Sequence, residues 1–172
     1  MILRLNGEIN RYYVETLCLV FFPGSTFGEG ELPGEGIPEV EVNVFNDTDD
    51  TVTAFVSIKL NDKICEATET VSLNEEITIS DHNSIAIARA MFSAGKEMLG
   101  IIPPWGILTG VRPAKIAAGL LMAGKGMIKS KRILRDEYLL NPQKAALAVS
   151  VASTEIKVAK KMPNKTCSLY VS

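Results

Sequence analysis

Glu39-Val40-Glu41-Val42-Asn43-Val44 and, seven residues on, Thr51-Val52-Thr53-Ala54-Phe55-Val56-Ser57-Ile58-Lys59-Leu60 decide the fold class of this chain. Apolar and polar residues alternate in both stretches. A period of two is the spacing at which a strand turns one row of side chains to a core and the other to water, and Phe55 is its single exception here. Asp47 to Asp50 and Asn61-Asp62 supply turn chemistry, and residues 64–73 carry a weaker alternation through Cys65, Ala67, Val71 and Leu73. The expectation is an antiparallel meander of three strands with one wet, acidic face.

Working outward, residues 1–7 open with Ile2, Leu3 and Leu5 and close on Asn6-Gly7, the pattern of a short first strand. Residues 11–22 could be a strand by their Val and Phe content. However, Val14, Leu17, Cys18 and Phe21 recur at three and four, and Pro23-Gly24 stops the run, so a helix is expected. Gly24 to Pro38 holds five glycines, two prolines and three glutamates, the composition of an exposed, mobile loop. After the meander, Ser80 or Asp81 can cap a helix whose apolar stripe is Ile85, Ala88, Met91, Phe92, Gly95 and Leu99, with Gly100 as its stop. That helix should cover one face of the sheet.

Pro103-Pro104-Trp105-Gly106 cannot continue a helix, and Pro113 suits the first position of another. Helices are expected over 113–123, with Ile116, Ala117, Leu120 and Leu121 on its apolar side, and over 129–137. A long helix then starts at Asn141-Pro142, with Ala145, Val149, Ala152, Ile156 and Ala159 down one side and Lys157, Lys160 and Lys161 at its C-terminal end. Cys167 to Ser172 reads as a strand with no partner after it. The fold class is therefore α+β: an antiparallel sheet with one or two helices, an all-helical segment and a terminal orphan strand. The expected units are 1–100, 101–166 and 167–172.

Charge supports a boundary near Gly100 to Pro104. Of the 172 residues, those before Gly100 include 6 basic and 17 acidic ones, whereas 12 basic and 3 acidic follow it, giving −11 and +9 within a net −2. Either the two halves attract each other across one interface, or a basic surface is kept for an anionic partner. The longest unbroken apolar run, Leu17 to Phe22, is far too short to cross a bilayer, and no leader pattern stands at the start, so no membrane is expected and the chain reads as cytoplasmic. Three widely separated cysteines, Cys18, Cys65 and Cys167, suit neither a disulfide framework nor a zinc site, and read as reduced thiols.

His82 is the one histidine and has no nucleophile pattern around it, which leaves no catalytic triad to assemble. Gly24 to Gly36 lacks the order of a phosphate-binding loop. Lys125, Lys129, Lys131, Arg132 and Arg135 cluster without interleaved aromatics, the pattern of a solvated helical face rather than a nucleic-acid surface. Residues 104–115 differ, because they place the only tryptophan, two glycines and two prolines in a linker. One reading is a rigid elbow in which Trp105 fills a crevice and Arg112 bonds carbonyls. The other makes Arg112 and Lys115 an anion contact.

This block, Pro104-Trp105-Gly106-Ile107-Leu108-Thr109-Gly110-Val111-Arg112-Pro113-Ala114-Lys115, together with Tyr138-Leu139-Leu140 and the long helix, resembles the N-terminal extension of the HemZ-type coproporphyrinogen dehydrogenase family. These are radical S-adenosylmethionine proteins similar to oxygen-independent coproporphyrinogen III oxidase. Cys167-Ser168-Leu169-Tyr170-Val171-Ser172 resembles the strand that, in the family, leads into the three-cysteine loop holding a [4Fe-4S] cluster. The resemblance implies a non-catalytic N-terminal region that packs on the radical SAM barrel of the same polypeptide. The intact enzyme would carry the cluster and S-adenosylmethionine and would decarboxylate the propionates of a porphyrinogen. Tyr170 matches a tyrosine expected near S-adenosylmethionine, with Ser172 where the better-known relatives carry histidine. Trp105, Arg112 and Lys115 become candidate substrate or interface contacts. Cys167 is not a cluster ligand without close-spaced partners. The alternative is a stand-alone nucleic-acid- or protein-binding module that uses the basic helical half.

Overall fold

The computed structural model of the chain describes residues 1–28, 34–48, 50–73 and 81–161. Nine elements follow in order: β1 (Ile2–Asn6), α1 (Arg11–Phe21), β2 (Glu39–Thr48), β3 (Thr51–Leu60), β4 (Lys63–Ser72), α2 (His82–Leu99), α3 (Pro113–Met122), α4 (Gly126–Asp136) and α5 (Pro142–Ala159). The α+β class holds, and the sheet order is β1-β2-β3-β4. β2, β3 and β4 form the expected antiparallel meander. β1, however, pairs parallel with β2, so the sheet is mixed and not purely antiparallel. The reason is α1: an 11-residue helix between two strands carries the chain back to the end where it started, and the second strand must then run the same way as the first.

Register turns the alternation into two faces. Leu3, Val40, Ile58 and Cys65 align in one row, and Leu5, Val42, Val56 and Ala67 in the next. This face is buried under α2, whose Ile85, Ala88 and Met91 are buried as the stripe requires. α1 lies beside α2, contributing Val14, Leu17, Cys18 and Phe21. Gly95 allows that approach, since a Cβ there would meet the Phe21 ring at 2.7 Å; the ring stands edge-on to Phe92 at 6.4 Å between centroids. The opposite face is polar and wet. Glu39 accepts from Arg4 at 3.0 Å and pairs with Lys59 at 3.3 Å, and the Thr53 and Thr70 hydroxyls are bonded at 2.8 Å. Phe55, the exception to the pattern, belongs to this outer face opposite Asn43.

Local chemistry places the helix ends. Asn10, Asp81 and Asn141 each accept a backbone N–H of the first turn, and Gly100 closes α2 in the left-handed conformation that costs glycine least. Asp81 is thus the cap of α2; Ser80 lies outside the described residues. β2 runs on to Thr48, shortening the expected turn, with a register shift between Asn46 and Thr48. α4 starts at Gly126 instead of 129, because a single tight turn after Met122 suffices to reverse the chain. α3 and α4 pack on α5 through Ile116, Ala117, Leu120, Leu134, Ala145, Ala148, Val149 and Ala152. No helix among the described residues is long and apolar enough to cross a membrane. The expected terminal strand, residues 167–172, lies outside the described residues, as do Glu29 to Pro33 of the glycine-rich loop.

Candidate functional site

The tryptophan block is an elbow clamped against the start of α5. Pro103 accepts from Gly106 N at 3.0 Å and Trp105 from Leu108 N at 3.2 Å, closing two successive turns. Ile107 N then donates to the Tyr138 carbonyl at 3.0 Å, and Asn141 N donates to the Pro104 carbonyl at 3.1 Å. Gly106 makes the clamp possible: its φ is +59°, and a Cβ there would lie 2.0 Å from the Tyr138 oxygen. Leu139, facing it, also has a positive φ of 57°.

Trp105 is half-buried against the core, and the Lys144 ammonium stands 4.8 Å from its ring centroid. Lys144 occupies the first turn of α5, where the helix dipole disfavours a cation, and the negative face of the indole offsets that cost. Sequence reasoning missed this residue. A lysine in a first turn, two positions after Pro142, was the available signal.

Arg112 and Lys115 stand at the start of α3. Arg112 is the N-cap residue of α3 with an extended backbone and no side-chain cap bond, and its carbonyl accepts from Lys115 N at 2.9 Å. Both side chains are exposed, one helical turn apart. The expected bonds from Arg112 to carbonyls do not form among the described residues, because at an N-cap the nearby backbone groups aimed outward are N–H donors. α3 therefore begins with two cations, the positive end of its dipole and no acidic residue in its first turn. That arrangement can hold an anion such as a carboxylate. Tyr170, the candidate S-adenosylmethionine contact, lies outside the described residues.

The two halves meet at Arg89 of α2, whose Nη2 donates to Glu137 Oε2 at 2.6 Å and whose Nε donates to the Glu137 carbonyl at 3.2 Å. This pair joins a base of the acidic half to an acid of the basic half. The bulk charge imbalance is therefore not what this contact uses. Lys129, Arg132 and Arg135 remain exposed on α4.

The two described thiols do not suit an iron-sulfur cluster. Cys18 and Cys65 are buried in the sheet half, and burial, with Glu15 nearby, pushes the Cys18 thiol up to about 12, far from the thiolate that ligation needs. His82 is half-exposed at the first position of α2. Comparison of the chain with protein-family models, with curated proteins and with solved structures finds no match.

Proposed function

We propose that this chain is the non-catalytic N-terminal region of an oxygen-independent coproporphyrinogen III oxidase-like radical SAM enzyme of the cytoplasm, with its helical half seated on the barrel of the same polypeptide. The observation that carries the reading is the outer side of α5. Leu147, Val151 and Val158 recur there at four and seven, all exposed, on the side of the helix opposite buried Ala145, Val149 and Ala152. An apolar stripe at helical spacing, left in water, fits a surface that packs against more protein. The start of α3 complements it: Arg112 and Lys115 suit the propionate carboxylates of a porphyrinogen.

Two measurements test this. The 172-residue chain should show no iron-sulfur absorbance after anaerobic reconstitution, while a chain continued through a cysteine loop should show it; a cluster in the present chain overturns the assignment. In the longer protein, Arg112→Ala should weaken porphyrinogen binding, and unchanged affinity would leave Arg112 without a substrate role.

A stand-alone nucleic-acid-binding module is the second reading, favoured by exposed Lys129, Arg132 and Arg135. Against it, Tyr138 is buried and Trp105 is packed beneath Lys144, so the described helical half presents no ring on which a base could stack.

A further inference from the structure

Among the described residues, the greatest exposure of aliphatic side chains is gathered at one place, the turn from α3 into α4. Ile128 is 87% exposed, Met122 72% and Met127 45%, all within seven residues of chain. Met127 and Ile128 project from the turn, and Met122 stands at the edge of an open groove. Ile128, the most exposed of the three, suits insertion into a soft apolar phase, and the groove beside Met122 is open enough to admit the same phase.

The charge around the turn is mainly basic, with Asp136 at the far end of α4 the one acid of that helix. Ile128, Arg132 and Arg135 recur at four and seven on the outer side of α4, with Lys129 beside them, while Ser130 and Leu134 turn the other way and are buried. On the other side of Met122, Lys157 and Lys160 of α5 border an open groove of about 770 Å³ that Leu121, Met122 and Ile156 line with them. Five bases thus surround three exposed apolar side chains.

From these observations we infer that the α3–α4 turn is a docking surface for an anionic lipid bilayer, touching the headgroup layer with Met122, Met127 and Ile128 and holding lipid phosphates and carboxylates with Lys129, Arg132, Arg135, Lys157 and Lys160. Neither element alone is sufficient: three side chains bury little area, and basic residues without apolar contact give weak, salt-screened attraction. Together they make two signals of the kind that reversible attachment uses. The sheet half, at −11 before Gly100, is repelled by the same surface, which orients the molecule turn first. This is contact with a surface, consistent with the lack of a membrane-crossing helix among the described residues. It does not depend on the proposed seating of a barrel, which uses another side of α5.

The test is cosedimentation of the 172-residue chain with phosphatidylcholine vesicles, with and without phosphatidylserine, across a salt series. Binding is expected only with phosphatidylserine and should weaken as salt rises. Met122→Ser with Ile128→Ser should lower the partition about tenfold at constant salt. Replacing Lys129, Arg132 and Arg135 by Gln should lower it about fivefold for each base removed. All five positions are exposed, and an unchanged thermal transition verifies folding. Absence of binding to phosphatidylserine vesicles overturns the inference, as does binding that the Met122 and Ile128 changes leave untouched. Tighter binding to single-stranded RNA than to the vesicles, insensitive to those two changes, would also overturn it and assign the basic face to nucleic acid.

Discussion

At Gly106 two constraints coincide. The backbone is in the left-handed region, and a Cβ would stand 2.0 Å from a carbonyl oxygen that must stay where it is to accept from Ile107. Gly106→Ala is therefore expected to destabilise the chain by about 3 kcal/mol, the strained backbone and the displaced turn adding together. A urea midpoint within experimental scatter of the parent's would show that the elbow is not clamped. Nothing in Trp105-Gly106 by itself distinguishes this glycine from Gly110, whose Cβ would meet open space; the difference lies in Tyr138 and Leu139, more than thirty residues away. A second residue-scale expectation concerns alkaline pH. Burial raises the Cys18 thiol to about 12, and burial, with Asp81 and Tyr138 nearby, raises Tyr13 beyond its ordinary range. The folded chain thus keeps protons that the unfolded chain releases. Stability from these groups is complete below about pH 8.5, the pKa of an unperturbed thiol, and falls as pH rises through the folded values. Unfolding free energy measured from pH 8 to 11 should decline, more shallowly in Cys18→Ala; equal slopes would remove Cys18 from the account.

Among the elements, α3, like α4, starts without a side-chain cap. α1, α2 and α5 have Asn or Asp caps that accept a first-turn N–H, whereas α3 has Arg112 in that place and Lys115 in its first turn. Arg112→Asp supplies both the missing acceptor and a charge of the sign the dipole favours. It should stabilise the isolated chain by about 1 kcal/mol while weakening any anion contact at this end. A gain in Tm with no gain in anion binding is the expected pair of results; a loss in Tm would mean that Arg112 is structurally engaged. Asn10 at the start of α1 was missed, whereas the caps of α2 and α5 were legible in the sequence because a cap is a local feature, read within four residues. The buried stripe of α1 was legible for the same reason. Ala159, read as part of the α5 stripe, is exposed, because periodicity says which side a residue is on and not whether a neighbour reaches that far.

On the scale of the whole molecule, Arg89 and Glu137 link a sheet layer to a helical layer. The arginine side chain is only 14% exposed, so removing its partner leaves a largely buried cation with weaker hydrogen bonding. Glu137→Gln should cost about 1 kcal/mol, discounted from a buried pair because the glutamate itself is half in water. The sharper expectation is loss of cooperativity. Far-ultraviolet circular dichroism and Trp105 fluorescence, the latter reporting the elbow, should give separated unfolding transitions in the variant. Coincident transitions would show that the shared apolar core couples the halves without this pair.

Period-two alternation, turn residues, period-three-and-four stripes and cap residues determined the α+β class, the existence of all four strands, and the approximate course of the described helices, because each depends on dihedral preferences and burial within a few neighbouring residues. The parallel direction of β1, the ion pair that joins the halves and the lysine above Trp105 were settled only by tertiary structure. Each of these arises where segments distant in the chain pack together, and the geometry of that meeting leaves no periodic trace in either segment.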